Sequence, residues 1–242
     1  MAVEMKPIEA PSVRELFSEQ LVERMLHGDL VPGEQLPAER ELAAQAHISK
    51  SAVHLALADL ERMGFVETKE RQGTYVADFA KNGNVLTLEM LSRSKSFRFD
   101  RQKTIDILEM RDGIETKALE RLAGNLTQEN RKTLTDDLEE TKRYCAEHQP
   151  VEVEELAHRY FHFHHDICIC SGNFVLPLLF NTFEQSTTYF WELPIREFGP
   201  DWCMEMMQGM YDAILTGDSS KSIEFFRIEI RIYREELADT VK

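Results

Sequence analysis

The sequence predicts a mostly α-helical protein. An N-terminal winged helix-turn-helix with a small β-ribbon wing is followed by an all-helical C-terminal bundle of six to seven helices. Two observations carry this. First, Leu36-Pro37-Ala38-Glu39-Arg40-Glu41-Leu42-Ala43 is followed by Ser49-Lys50-Ser51-Ala52-Val53-His54, then Leu60-Glu61-Arg62-Met63-Gly64-Phe65-Val66, then Arg71-Gln72-Gly73-Thr74-Tyr75-Val76. In that order these read as helix, tight turn, helix and a two-stranded ribbon with a glycine at its tip. Second, almost every segment beyond residue 84 has helical apolar spacing, interrupted only by short Gly- or Pro-containing stretches.

Each element has a local reason. Val13, Leu16, Phe17, Leu21 and Met25 recur at helical period, which predicts a first helix over 12–27 with Gly28 as its left-handed stop. Pro32-Gly33 marks a turn. Pro37 suits the first position of helix two, where a missing N–H loses nothing, and Glu39 and Glu41 favour its first turn. Ser49 is placed to cap helix three, whose inward stripe is Val53, Ala56, Leu57 and Leu60. Phe65-Val66 and Tyr75-Val76 read as the ribbon strands, with Gln72-Gly73 at the tip.

The polar, Gly-containing segment after Asp78 predicts domain boundaries of 1–78 for the winged unit, 79–84 for a linker and 85–242 for the bundle. Helices are expected at about 85–92, 100–123, 127–147, 151–170, 174–192, 202–216 and 218–239, with breaks at Gly124, Pro150, Ser171-Gly172, Pro194, Gly199-Pro200 and Gly217.

Composition bounds the function. No apolar run approaches the roughly 18–20 residues of a membrane span, and the N-terminus lacks the pattern of a secretory signal. Four cysteines, Cys145, Cys168, Cys170 and Cys203, lack disulfide-framework spacing, so a reduced cytoplasm and packed thiols are expected. The net charge of −15 argues against nucleic acid if applied to the whole chain, and residues 1–78 hold 8 Lys and Arg against 14 Asp and Glu. Screening over about 8 Å at physiological salt makes only the charges near phosphate count fully. The expected face carries Arg40, Lys50, His54, Lys69 and Arg71, with Glu70 among them, so it is locally cationic but thin.

Residues 12–76 resemble the N-terminal domain of the GntR family of bacterial transcription regulators. Gly28, Pro32-Gly33, Leu36-Pro37, Glu39-Arg40, Leu42-Ala43, Val53, Ala56-Leu57, Leu60, Gly64 and Gly73-Thr74-Tyr75-Val76 carry the likeness. The rest resembles the FCD ligand-binding domain of the FadR subfamily. The matching positions are Glu109, Arg111, Ile114-Glu115, Phe163-His164, Ile167, Ser171-Gly172-Asn173, Ala213-Ile214 and Gly217-Asp218.

The resemblance implies a homodimer that binds a palindromic double-stranded DNA operator and responds to a small-molecule effector in the bundle. It implies DNA contacts from Arg40, from Ser49, Lys50, Ser51 and His54 at the start of helix three, and from Lys69, Arg71, Gln72, Gly73 and Thr74 in the wing. Where this chain has Lys50 and His54 the family commonly has Arg, and it commonly has a Gly-x-Gly wing in place of Arg71-x-Gly73. Lysine cannot offer arginine's planar fork to guanine, so a divergent half-site is expected.

Many FCD domains ligate a metal through an Asp and a His four apart and two later histidines. Counted from Ser171-Gly172-Asn173 and Gly217-Asp218, those positions hold Tyr160, His164, Met207 and Glu229. Tyr and Met are poor ligands for such an ion, so no cofactor and no metal at that set are expected. Effector contacts then fall to Arg111, Tyr160, His164, Met207 and Glu229, with a carboxylate or other anionic metabolite as the expected ligand. Arg111 reads equally as a structural partner of Glu115 one turn on.

His158, His162 and His165 share a helical face, which opens either a metal reading or a solvated surface. The aromatic residues after position 160, Phe183 and Tyr189 among them, read with Met204, Met206, Met207 and Met210 as core and dimer packing. A larger acyl-type effector, and a bundle that only dimerises, are the alternatives. An enzyme built on residues 158–170 is the remote one, because no nucleophile or phosphate loop accompanies that cluster.

Overall fold

A computed structural model describes residues 11–94, 100–182 and 184–237. Phe183 and the side chain of Tyr189 lie outside the described residues. The chain divides into two compact units, residues 1–97 and 98–242.

In the first unit, α1 (Val13–Leu26) starts in a reciprocal cap between Ser12 and Glu15 and ends at His27, with Gly28 at φ 80°. It buries Phe17, Ser18, Leu21, Val22 and Met25, whereas Val13 and Leu16 are exposed. The expected apolar stripe therefore holds only from its second turn onward. Helix α2 (Glu39–Ala46) begins after Ala38, whose ψ of 146° is extended. Pro37 thus precedes the cap instead of opening the helix. A left-handed His47, φ 55°, turns the chain into α3 (Lys50–Arg62), capped by Ser49 accepting from the Ala52 N–H. Val53, Ala56, Leu57 and Leu60 face inward as expected.

Strands β1 (Val66–Lys69) and β2 (Gly73–Val76) pair antiparallel, Val66 opposite Val76 and Lys69 opposite Gly73. Residues 33–36 run along β2: the Gly33 and Leu36 N–H groups donate to the Val76 and Thr74 carbonyls, each at 2.8 Å. The chain continues into a short turn of helix, α4 (Phe79–Asn82), and then α5 (Val85–Arg93).

Residues 79–84 are therefore helix and cap, not a linker, and α5 belongs to the first unit instead of the bundle. Asn84 donates to the Arg62 carbonyl at 2.9 Å, Ser94 to Glu23 at 2.6 Å, and Leu91 joins the core of Phe17, Val22, Leu57 and Phe65. Gly64 permits this packing. Its φ is +77°, and a Cβ there would lie 2.3 Å from the Asn82 carbonyl oxygen.

The second unit contains α6 (Arg101–Gly124), α7 (Gln128–Glu147), α8 (Val153–Cys170), α9 (Val175–Thr182), α10 (Glu184–Phe198), α11 (Pro200–Leu215) and α12 (Ser219–Ile232), closed by a π-turn at Tyr233–Leu237. Helix α8 packs against α6, α7, α9, α10 and α11, and it buries Leu156, Ala157, Tyr160, Phe161, Phe163, His164 and Ile167 in the core. Within the helix expected over 174–192, α9 and α10 lie on either side of the undescribed Phe183, and α10 runs through Pro194, where a break was expected. Proline cannot donate to the carbonyl four residues back. That carbonyl, of Phe190, accepts instead from the Tyr233 hydroxyl at 2.7 Å. Cys168, Cys170 and Cys203 are buried free thiols, and burial pushes all three pKa values up.

Asp137, on α7, has a buried Oδ2 with no hydrogen-bond partner among the described residues. Burial, then Asp166 and Glu140, push its carboxyl up to about 7, against a pull from Arg159. An acid raised in the folded state costs nothing below its unfolded pKa near ~4 and destabilises increasingly as pH rises toward the folded value. Asp137→Asn is expected to raise the melting temperature at pH 8 and to leave it unchanged near pH 4; an equal effect at both would contradict this.

Candidate DNA-binding face and buried bundle site

Arg40, Ser49, Lys50, Ser51 and His54 are exposed at the starts of α2 and α3, and Lys69, Arg71, Gln72 and Gly73 are exposed in the wing, with Thr74 half-buried. Two residues that sequence reading gave no DNA role bring these elements together. Glu39 bonds His54 Nδ1 at 2.8 Å and lies 3.6 Å from Lys50 Nζ, joining the start of α2 to the start of α3. Gln35 donates to the Gln72 carbonyl at 2.6 Å, joining the segment before α2 to the wing tip. Gly73 has φ +105°, a conformation that favours glycine, and a Cβ there would displace the end of the Gln35 side chain, 2.9 Å away.

Arg40 forms no ion pair among the described residues, so its guanidinium is available to a phosphate or a base edge. Lys69 sits over the Tyr75 ring at 4.7 Å, and Arg71 lies 3.9 Å from Glu70 with both side chains fully in solvent. Surface pairs of this kind contribute at most about 1 kcal/mol, so phosphate can displace them readily.

The second site lies inside the bundle. Arg111 is wholly buried on α6, its Nε 2.7 Å from Glu115 Oε1 and its Nη2 3.3 Å from Glu229 Oε1 on α12. The Tyr160 hydroxyl donates to Glu229 at 3.0 Å, and His164 Nδ1 bonds Glu115. Trp191, from α10, covers the guanidinium at 3.9 Å. Burial pushes the Glu115 carboxyl up, but Arg111 and His164 more than offset this and hold it below its usual value. Burial and the Glu229 charge push the Tyr160 hydroxyl up, so it stays a donor.

Four of the five predicted effector positions, Arg111, Tyr160, His164 and Glu229, are thus brought together. Met207 adds buried apolar surface in the same core. Glu115 was expected only as a partner of Arg111. Trp191 was read as packing, since no spacing rule connects α10 to α6. The atoms do not suit a divalent ion: both carboxylates already face a fixed guanidinium, His164 Nδ1 is committed to Glu115, and the remaining candidates are a donating phenol and a thioether.

His164 Nε2 is buried with no hydrogen-bond partner among the described residues, and so are two donors, Arg111 Nη1 and Trp191 Nε1. Buried donors of this sort are costly unless an acceptor satisfies them. An acceptor placed among these donors would satisfy them.

Comparison with known proteins places both units. The family model for bacterial regulatory proteins of the gntR family matches residues 11–76, and the FCD domain model matches residues 106–227, half of the chain. The chain belongs to the GntR regulators that carry an FCD domain. Among GntR relatives, LutR of Bacillus subtilis is 29% identical over 157 residues, covering 64% of this chain and 66% of that protein. Mce2R of Mycobacterium tuberculosis is 37% identical over 89 residues, 37% of this chain and 36% of that protein.

The chain thus spans between about a third and two thirds of the length of the curated relatives it matches. A solved structure of Lar, described as controlling the expression of the Listeria monocytogenes agr system, shares the fold at TM-score 0.63. The two are 17% identical, over 95% of this chain and all of that one. These relatives and both domain models are transcription regulators, not enzymes.

In this GntR regulator the left-handed residue of the wing is Arg71, φ 62°, where the family commonly has glycine. A non-glycine residue in that conformation costs roughly 1 kcal/mol. Arg71→Gly is therefore expected to leave folding stability unchanged or raise it by up to about 1 kcal/mol. It should also weaken DNA binding and lower the salt-dependence slope by about 1. Lost stability with unchanged DNA affinity would show the side chain to be structural.

Proposed function

We propose that this protein is a ligand-responsive transcription regulator of the FadR type whose effector cluster holds no metal. It binds a palindromic operator as a homodimer in the cytoplasm and carries a small carboxylate or other anionic effector in its bundle. The observation that carries the DNA reading is the link made by Glu39 and Gln35. Through them the start of α2, the start of α3 and the wing tip become one surface with Arg40, Lys50, His54 and Arg71 exposed on it. That is the arrangement in which a recognition helix reads a major groove and a wing contacts the backbone beside it. Two such surfaces related by a two-fold axis read a two-fold-symmetric site.

The effector reading rests on the buried cluster. An anionic ligand offers acceptors to the unsatisfied donors of Arg111 and Trp191. It also competes with Glu229 for the guanidinium, since the two carboxylates bid for the same face of Arg111. Every predicted effector residue is fully buried, so binding requires the cluster to open and Glu229, with α12, to shift. A groove of about 380 Å³ lies between α6 and α12, lined by Leu108, Glu109, Asp112, Arg227, Ile230 and Arg231. The ligand thereby stabilises one arrangement of α12 over another, which is the differential binding a switch needs.

Selecting duplexes from a random library with the full-length protein tests this reading. The expected product is an inverted repeat bound by two chains, and Arg40→Ala should weaken binding to it by roughly 1–3 kcal/mol. Enrichment of no sequence, or of a site without symmetry, would contradict the proposal.

A further inference from the structure

The outer face of α8 carries chemistry that the buried cluster does not use. His158 and His162 lie one turn apart, their rings stacked with centroids 6.4 Å apart. Glu184, the first residue of α10, approaches them with its Oε1 3.8 Å from His158 Nδ1. One donor atom from each of the three lies within 4.8 Å of the other two. Ligands on zinc with bonds of about 2.1 Å are separated by about 3.4 Å at tetrahedral angles. Side-chain rotations of about 1 Å therefore suffice to close the set, with no backbone movement.

His165, the third histidine of the face, does not take part. Its Nε2 donates to the Pro177 carbonyl at 3.1 Å, and its ring stacks on Phe161 and Phe180. Sequence spacing alone grouped three histidines; the fold replaces one of them with Glu184.

We infer that His158, His162 and Glu184 form a surface site for a borderline transition dication of the zinc class, with a fourth position open to water. Two imidazoles and one carboxylate are a donor set that zinc-like ions favour over magnesium or calcium. Asp166, one turn beyond His162, stands close enough for the His162 and His165 charges to act on it, and supplies an outer carboxylate.

The site is separate from the family's metal positions. Tyr160 and His164 occupy the opposite, buried face of α8 and are bonded to Glu229 and Glu115. A metal here clamps the start of α10 to α8. Those two helices supply Trp191, Tyr160 and His164 to the buried cluster, so metal binding and cluster opening are coupled.

Zinc titration of tag-free, metal-stripped full-length protein, read by calorimetry and by melting temperature, tests the site. The wild type is expected to take one zinc per chain with a rise in melting temperature. His162→Ala, whose side chain is exposed and whose loss leaves the core intact, should abolish that rise and weaken zinc binding at least about 10-fold; Asp166→Asn should weaken it by about 10-fold or more. Glu184→Gln should behave as His162→Ala does. Zinc bound equally by wild type and His162→Ala, or not bound by the wild type, would overturn the assignment. Neither result bears on operator selection, so the DNA reading stands or falls separately.

Discussion

A guanidinium in the middle of an apolar bundle is the constraint around which the second unit is organised. Arg111 is fully buried, and burial pulls its pKa down until Glu115 and Glu229 more than restore it. Once Arg111 is inside, the two carboxylates must be inside as well. Tyr160 and His164 must then satisfy the carboxylate oxygens that Arg111 leaves. The result binds α6, α8 and α12 through polar contacts and α10 through the Trp191 ring. Removing one partner from such a pair generally costs about 3–5 kcal/mol, because the other charge is stranded. The Tyr233 hydroxyl belongs to the same closure: it completes the Phe190 carbonyl that Pro194 cannot serve, and so fixes the helix that presents Trp191.

The first unit uses charge differently. On the face proposed for DNA, Lys50 and His54 are held by one acid, Glu39, in exposed contacts that each contribute little to stability. Their value is geometric. Glu39 aims Lys50 and His54 in one direction, and Gln35 holds the wing tip beside them. The acid-rich composition of residues 1–78 is compatible with a locally cationic face, since charges more than about 8 Å from phosphate are screened.

Much of this was legible in the sequence because it depends on local rules. The cap at Ser49, the stripe Val53, Ala56, Leu57 and Leu60, and the two-stranded wing follow from residues close in the chain. The discrepancies share a cause, which is that tertiary partners override a local signal. Pro194 sits inside a helix because Tyr233, from a distant segment, supplies the missing donor. Residues 79–84 read as a linker because they are polar, yet Asn84 spends its side chain on the Arg62 carbonyl. Val13 and Leu16 have the period of a buried face but are exposed at the start of α1, where the contact to α3 is the surface pair of Arg14 with Asp59. Trp191 and Glu184 could not be paired with their partners by spacing, because each meets α8 or α6 only through the packing of α10.

The central claim is that the Arg111–Glu229 pair, not apolar packing around it, couples α6 to α12. A double-mutant cycle on folding stability with Arg111→Met, Glu229→Gln and the double variant measures this directly. The account predicts a coupling energy of about 2–3 kcal/mol, with the double variant recovering much of what each single change loses. Additivity within about 0.5 kcal/mol would contradict it.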